Sequence, residues 1–354
     1  MNISGVLGFS AVNVNNTRNN SNTRFGLKMS APLTCDTVSF GATKKNVTNE
    51  DKKYGVNLKT AKEVHNEALL MQPKVREFAD KTWGKYLVTQ DNPKNSILKI
   101  ADRCKSPLSI KEKSETRHLN NKKEIFEKIT DLNGMKLVMR DASKDAVNKV
   151  LMELVLPIRK GEVELIEIEN KRPIATKYKQ GTEARKYDYA SYEVLKGLER
   201  LQNLENKKTT KRKNKKVRVD MDDFTDMNYS AIHMLLRLKG EKRPFELTIM
   251  GADVNQLKDL DDKLFKILNG KDVEDKYKPI KKLVKPLTKE GNEDLLEKFN
   301  NYRADAFLFQ RNKAPSSFAM QDKPVHFLPL SEDLDPRLDL TELYNLMIEC
   351  DKMG

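Results

Sequence analysis

Cysteine, tryptophan and histidine are scarce: three, one and four in 354 residues. Cys35, Cys104 and Cys350 are odd in number and far apart, which argues against a disulfide framework or a cysteine-built zinc site. That usage fits a reducing compartment, so a cytoplasmic location is expected. Long apolar runs are missing too. Stretches such as Val150-Leu151-Met152 and Leu154-Val155-Leu156 stop after three residues, far below the roughly 20 needed to cross a bilayer, so no membrane partner is expected. Residues 1–24 lack a basic n-region, and Gly8, Ser10 and Asn13 interrupt their apolar stretch, so a secretory signal is not expected. Acidic residues are nearly absent from the first 50 positions, where Asp36 is the single one ahead of Glu50. Rich in Asn, Ser and Thr and without apolar periodicity, residues 1–50 cannot bury enough surface to offset the entropy of ordering, and they read as a disordered tail.

What the chain has in quantity is positive charge. Lys and Arg number 66 against 52 Asp and Glu, a net +14. The surplus is local: residues 170–219 hold 16 Lys and Arg against 5 Asp and Glu, a net +11 in one insertion. Such a surface favours polyanions such as nucleotides, RNA or anionic membrane surfaces, and charge alone does not choose among them; tRNA or other RNA would meet the insertion 170–219. Tyr178, Tyr187, Tyr189 and Tyr192 stand apart from the "KRKNKK" cations, so the run offers no interleaved rings for stacking on bases. With 38% hydrophobic residues the remainder can build one sizeable core or two small ones.

Periodicity organises that remainder. Ala61, Val64, Ala68, Val75, Phe78, Ala79 and Trp83 recur at helical spacing around a break near Pro73, predicting a helical segment over 58–95. Pro107 suits the first turn of a helix running from Ser106 towards Lys113. "ITDLNGMKLVMRD" (129–141) and "EVELIEIEN" (162–170) alternate as strands, with an amphipathic helix over 143–156 between them. A helix over 190–205, a loop over 207–216, two strands joined at Gly240 within 233–251 and a helix over 253–268 follow. This order predicts an α/β fold of the α+β type, a mixed β-sheet flanked by helices, over 98–268. Residues 269–354 read as an extension with helices around 292–302 and 340–350 and Pro-marked loops over 315–336.

Four stretches carry candidate chemistry. "RCKSPLSIKEK" (103–113) places Arg103, Lys105 and Lys113 so that two cations near a helix start and a third about two turns later can converge on a polyphosphate. Asp131 and Glu246 are acids on apolar strands, costly there unless paired or bound to a cation, and two such carboxylates from adjacent strands can hold Mg²⁺. In "NYSAIH" (228–233) Tyr229 and His233 share one face if the segment is extended, giving a ring for a base and an imidazole for a phosphate. Asp220, Asp222, Asp223 and Asp226 form a further acidic group that reads either as metal ligands or as a polar loop.

The order of these motifs resembles the RelA/SpoT family of nucleotide pyrophosphokinases, which make (p)ppGpp. The family pattern runs R-x-K-s-x-x-S-x-x-x-K, a strand beginning D-L, G-Y-R-S-L-H, and E-x-Q-I-R-T. The corresponding stretches here are "RCKSPLSIKEK", "DLNGMKLVM" (131–139), "NYSAIH" and "ELTIMG" (246–251), within residues 98–268. The resemblance implies a RelA/SpoT nucleotidyltransferase-like sheet and a transfer of pyrophosphate from ATP to the 3′-hydroxyl of GDP or GTP. It assigns Arg103, Lys105 and Lys113 to the ATP phosphates, and Asp131 and Glu246 to Mg²⁺ with Glu246 also as base. Tyr229 would stack on the acceptor base and His233 would contact the acceptor or the transferred phosphates. The acceptor side departs from the pattern at Asn228, Ser230, Thr248 and Met250, Lys136 replaces an arginine, and Asp262 stands for a histidine. These departures keep two alternatives open: a toxin-type relative acting on the 3′-CCA end of tRNA, and a catalytically inactive nucleotide- or RNA-binding regulator. His65, His118, His233 and His326 are followed by Asn, Leu, Met and Phe, so the His-Asp pair of the family's hydrolase domain is absent and hydrolysis is not expected. A small stand-alone enzyme, able to form homo-oligomers, is the resulting expectation.

Overall fold

Side-chain caps decide where the first helices start. The computed structural model describes residues 54–171, 191–208, 215–220, 230–270, 274–312 and 338–353. Asn57 Oδ1 accepts the Thr60 N–H at 2.8 Å to open α1 (Leu58–Leu69), and α2 (Gln72–Trp83) follows with Pro73 in its first turn. β1 (Ile97–Cys104) leads to α3 (Pro107–Thr116), where Ser106 Oγ accepts the Ser109 N–H and Pro107 supplies the first turn. α4 (Lys122–Lys128) and β2 (Asn133–Met139) come next, then α5 (Lys144–Met152) and α6 (Val155–Arg159), then β3 (Val163–Asn170). α7 (Tyr192–Lys207), the short β4 (Arg218–Asp220) and the hairpin of β5 (Ile232–Leu238) and β6 (Phe245–Gly251) complete the sheet. α8 (Ala252–Leu268), α9 (Lys278–Val284), α10 (Glu293–Asn312) and α11 (Leu340–Met353) close the described chain.

The sheet is mixed, six-stranded and ordered β1-β2-β6-β5-β3-β4. β2 and β6 are parallel, whereas β6 with β5 and β5 with β3 are antiparallel, so β2 and β3 point the same way with the hairpin between them. The crossover through α5 and α6 therefore skips two strand positions. Gly240, with φ of 83°, takes the left-handed conformation in the turn that joins β5 to β6.

Alternation gives the sheet two unlike faces. Met135, Leu137, Met139, Ile232, Met234, Leu236, Phe245, Leu247 and Ile249 turn into one core, covered by Val75, Phe78 and Trp83 of α2 and by Val147, Val150, Leu195 and Leu198. Complete burial of side chains of this size contributes about 1.5–3 kcal/mol each. Trp83 is wholly enclosed there and donates Nε1–H to Val150 O at 3.0 Å. The intervening positions Gly134, Lys136, His233, Glu246 and Thr248 face the other side. At one end of that side, Met250 and Ala231 join a second core built from α8 to α11.

Two local readings are corrected. Residues 97–104 form an edge strand that the alternation did not reveal, because a bulge between Ile97 and Lys99 shifts the side-chain period. The single helix expected over 143–156 breaks after Met152, because Pro157 cannot follow Glu153 in one continuous helix: it lacks the N–H and its ring meets the carbonyl four residues back. The tail 1–50 and the 315–336 loops lie outside the described residues, as do 172–190 and 209–214 of the basic insertion. Among the described residues no helix is long and apolar enough to cross a membrane.

Candidate active site

β1 carries Arg103 towards its C-terminal end, and the ladder continues past the strand because the Lys105 N–H donates to Leu132 O at 2.8 Å. The cap at Ser106 turns the chain into α3, whose last turn brings Lys113 back over the end of β1 and β2. Lys105 Nζ and Lys113 Nζ both lie 2.9 Å from Asp131 Oδ2. Asp131 and Lys105 are 7% and 6% exposed, so the cluster is largely shielded from water. Asp131 Oδ1 is buried and, among the described residues, has no hydrogen-bond partner. Two ammonium groups thus converge on one oxygen of a carboxylate whose other oxygen is unsatisfied among the described residues, an arrangement open to a further ligand. Asp131 occupies the turn ahead of β2 and not the strand itself, which corrects the sequence reading.

The corner between α1 and α2 braces this end. His65 Nδ1–H donates to Lys105 O at 2.9 Å, Asn133 Nδ2 donates to Ala68 O at 2.9 Å, and Gln72 Nε2 donates to Gly134 O at 3.4 Å.

Sheet register builds the rest. Arg103, Gly134 and Glu246 stand opposite one another on β1, β2 and β6. A Cβ at Gly134 would come within 3.3 Å of Arg103 Cγ and Nε, so the glycine gives the arginine room to cross towards Glu246, where Nη2 lies 3.8 Å from Oε2. Glu246 Oε1 is 2.9 Å from His233 Nδ1, with Thr248 Oγ1 3.3 Å from the same nitrogen. Two residues along the strands, Lys136, Thr248, His233, Glu169 and Asp220 form a row across β2, β6, β5, β3 and β4. Lys136 Nζ closes that row by donating to Asn255 Oδ1 at 2.8 Å and pairing with Asp259 at 3.3 Å on α8. Burial pushes the Glu169 carboxyl up from its ordinary value; Asp220 and Glu246 add to the rise, and His233 and Lys171 oppose it.

The sequence-derived set therefore forms two linked clusters, Lys105–Asp131–Lys113 and Arg103–Glu246–His233, joined through β1 and β2. Among the described residues no three His, Cys, Asp or Glu side chains are placed to hold a metal by themselves. Mg²⁺ does not need such a cage, since one or two carboxylates, waters and substrate phosphates complete its shell. The unpartnered Asp131 Oδ1 and the buried Glu246 carboxylate fit that chemistry. Tyr229 lies outside the described residues, as do Asp222, Asp223 and Asp226, while Asp220 is exposed and pairs with Lys171 at 3.1 Å. Sequence reasoning passed over Gly134, His65 and Glu169. The first sits in plain view in "DLNG" and the last in the acidic alternation of "EVELIEIEN", but their partners are fixed only by register.

No family model matches the chain, and no curated protein matches it. Among solved structures it is similar to a GTP pyrophosphokinase family protein from Streptococcus pneumoniae, with 16% identity, 72% of this chain and 94% of that chain covered, and a TM-score of 0.33. It is similar also to small alarmone synthetase 2 from Bacillus subtilis, with 14% identity, 67% and 93% covered and a TM-score of 0.34. For small alarmone synthetase 1 from the same organism, bound to its product pppGpp, the identity is 13%, the coverage 69% and 95%, and the TM-score 0.31.

Proposed function

We propose that the chain is an ATP-dependent nucleotide pyrophosphokinase that transfers the terminal pyrophosphate of ATP to the 3′-hydroxyl of a guanine nucleotide, GDP or GTP. The observation that carries this reading is the convergence of Lys105 and Lys113 on one oxygen of buried Asp131 while its other oxygen has no partner. The motif order supports it. Lys105, Lys113 and Arg103 grip the triphosphate and offset the charge that builds up on it during transfer. Asp131 and Glu246 would hold Mg²⁺, which when bound supplies neutralisation of the phosphate oxygens. The acceptor's 3′-oxygen bonds to the β-phosphorus as the bond from that phosphorus to the α,β-bridging oxygen breaks, and AMP leaves. Glu246, oriented by His233, takes the hydroxyl proton. Tyr229 stacks on the acceptor base.

A nucleotide suits the described surface better than RNA does. In the described part of the insertion, Lys171, Lys196, Lys208, Lys215 and Arg218 pair with Asp220, Glu199, Glu205, Glu164 and Glu167 at 2.6 to 3.1 Å. Those partners offset five of the eight cations described in the insertion, so this stretch lends the RNA reading no support of its own.

The test is to incubate the protein with Mg²⁺ and ATP radiolabelled at the γ-phosphate, offering GDP, GTP, ATP or deacylated tRNA separately. Label on the guanine nucleotide is the expected result. Label on tRNA alone would replace the acceptor, and no transfer from folded protein that binds ATP would reject the enzymatic reading.

A further inference from the structure

β3 carries three carboxylates, and two of them have cationic partners. Glu164 meets Lys215 at 3.1 Å and Arg237 at 3.4 Å, and Glu167 meets Arg218 at 2.6 Å. Glu169 is half-buried directly opposite His233, and among the described residues no hydrogen bond reaches its carboxylate. Lys171, the cation two residues on, is bonded instead to Asp220. A partly desolvated carboxylate without donors is a standing cost unless a ligand supplies them.

We infer that Glu169 selects the acceptor's base, its two carboxylate oxygens accepting the adjacent N1–H and N2–H of guanine. This rests on the pyrophosphokinase reading, which places the reacting 3′-hydroxyl at Glu246. Strand order then measures the cleft. Neighbouring strands lie about 4.8 Å apart and each residue advances about 3.4 Å, so Glu169, two strands across and two residues along from Glu246, stands roughly 12 Å from it along the sheet. The 2′-hydroxyl stays beside the 3′-oxygen, whereas the base reaches across that span. The cations Arg103, Lys105 and Lys113 gather at the β1 and β2 end, which draws the phosphates there and leaves the base to the β3 end. An ionised carboxylate only accepts hydrogen bonds, and guanine presents two neighbouring donors to it. Hypoxanthine presents one, and adenine sets an acceptor, N1, beside its amino group. A site built around such donors penalises a base that lacks them, because the buried oxygen is then left unpaired.

The experiment compares GDP, IDP and ADP as acceptors for the wild type, Glu169→Gln and Glu169→Ala, with circular dichroism to show that each variant is folded. The same nucleotides are titrated calorimetrically, so that recognition is read even if no transfer occurs. The expected wild-type preference for GDP over IDP is on the order of 10- to 100-fold. In both variants the preference collapses because GDP loses two contacts and IDP only its single N1–H contact, so GDP falls more than IDP, while the KM for ATP changes little. A GDP-to-IDP ratio that is the same in wild type and variants, in turnover or in binding, overturns the assignment. Absent transfer with the binding preference intact and Glu169-dependent would instead sink the proposed reaction and leave Glu169 as the base-reading residue.

Discussion

Among the described residues two aspartates are buried in ionic clusters, and they are built to opposite specifications. Asp261 on α8 takes Arg303 in a bidentate pair at 2.7 and 2.9 Å and the Tyr344 hydroxyl at 3.0 Å, so both its oxygens are satisfied in the second core. Asp131 gives one oxygen to two lysines and leaves the other without a partner. A closed cluster ties α8, α10 and α11 together and has no capacity left. An open one, with two lysines on a single oxygen and a bare buried oxygen beside it, keeps capacity at the expense of stability. The contrast separates a structural ion pair from a candidate site without reference to any motif.

Variants can break or sharpen that contrast. The largest effects are expected at the aspartates' own positions, and they differ in kind. Arg303→Met strands Asp261 without its guanidinium and should lower stability by about 3–5 kcal/mol, read by chemical denaturation, with kcat of the folded fraction unchanged. Asp131→Asn should reduce kcat/KM by on the order of 10³-fold, measured at a temperature where the variant is fully folded. If both variants lost only stability, the open cluster would be no more than a second structural pair. Next comes Lys113→Met, which removes one of the two lysines on Asp131 Oδ2. Stability should change by less than about 1 kcal/mol because Lys105 still holds that oxygen, while the KM for ATP rises by about tenfold as a phosphate contact is lost. Smallest is Gly134→Ala. The added methyl meets Arg103 at 3.3 Å, and since the arginine side chain is 57% exposed it can give way. Denaturation should shift by about 0.5 kcal/mol or less, with a several-fold loss in turnover as Arg103 moves off Glu246.

The same division governs how much could be read from the sequence. The cation end is local: Arg103, Lys105, Ser106, Pro107 and Lys113 lie within eleven residues, and capping chemistry alone turns them into a strand end and a helix start. The acceptor end is assembled by register across four strands. His233 and Glu246 were legible as types, but that His233 faces Glu169 and Thr248 follows from which strands pair, and the hairpin enters between β2 and β3 in a way that no short-range pattern specifies. β1 was hidden by its bulge, and the helix break near residue 153 was announced by Pro157 but overridden by the apolar period around it. Asp131 was recognised as an acid needing a partner, yet the doubling of its cations depended on α3 folding back, a tertiary fact.

The most direct test of the open cluster is calorimetric titration of ATP onto the wild type and Asp131→Asn, with and without Mg²⁺. Mg²⁺ is expected to strengthen ATP binding to the wild type, and this gain is expected to disappear in the variant. Binding without Mg²⁺ should persist or tighten there, since Lys105 and Lys113 are released from the carboxylate. An identical Mg²⁺ dependence in both proteins, or loss of binding in the variant whether or not Mg²⁺ is present, would contradict it.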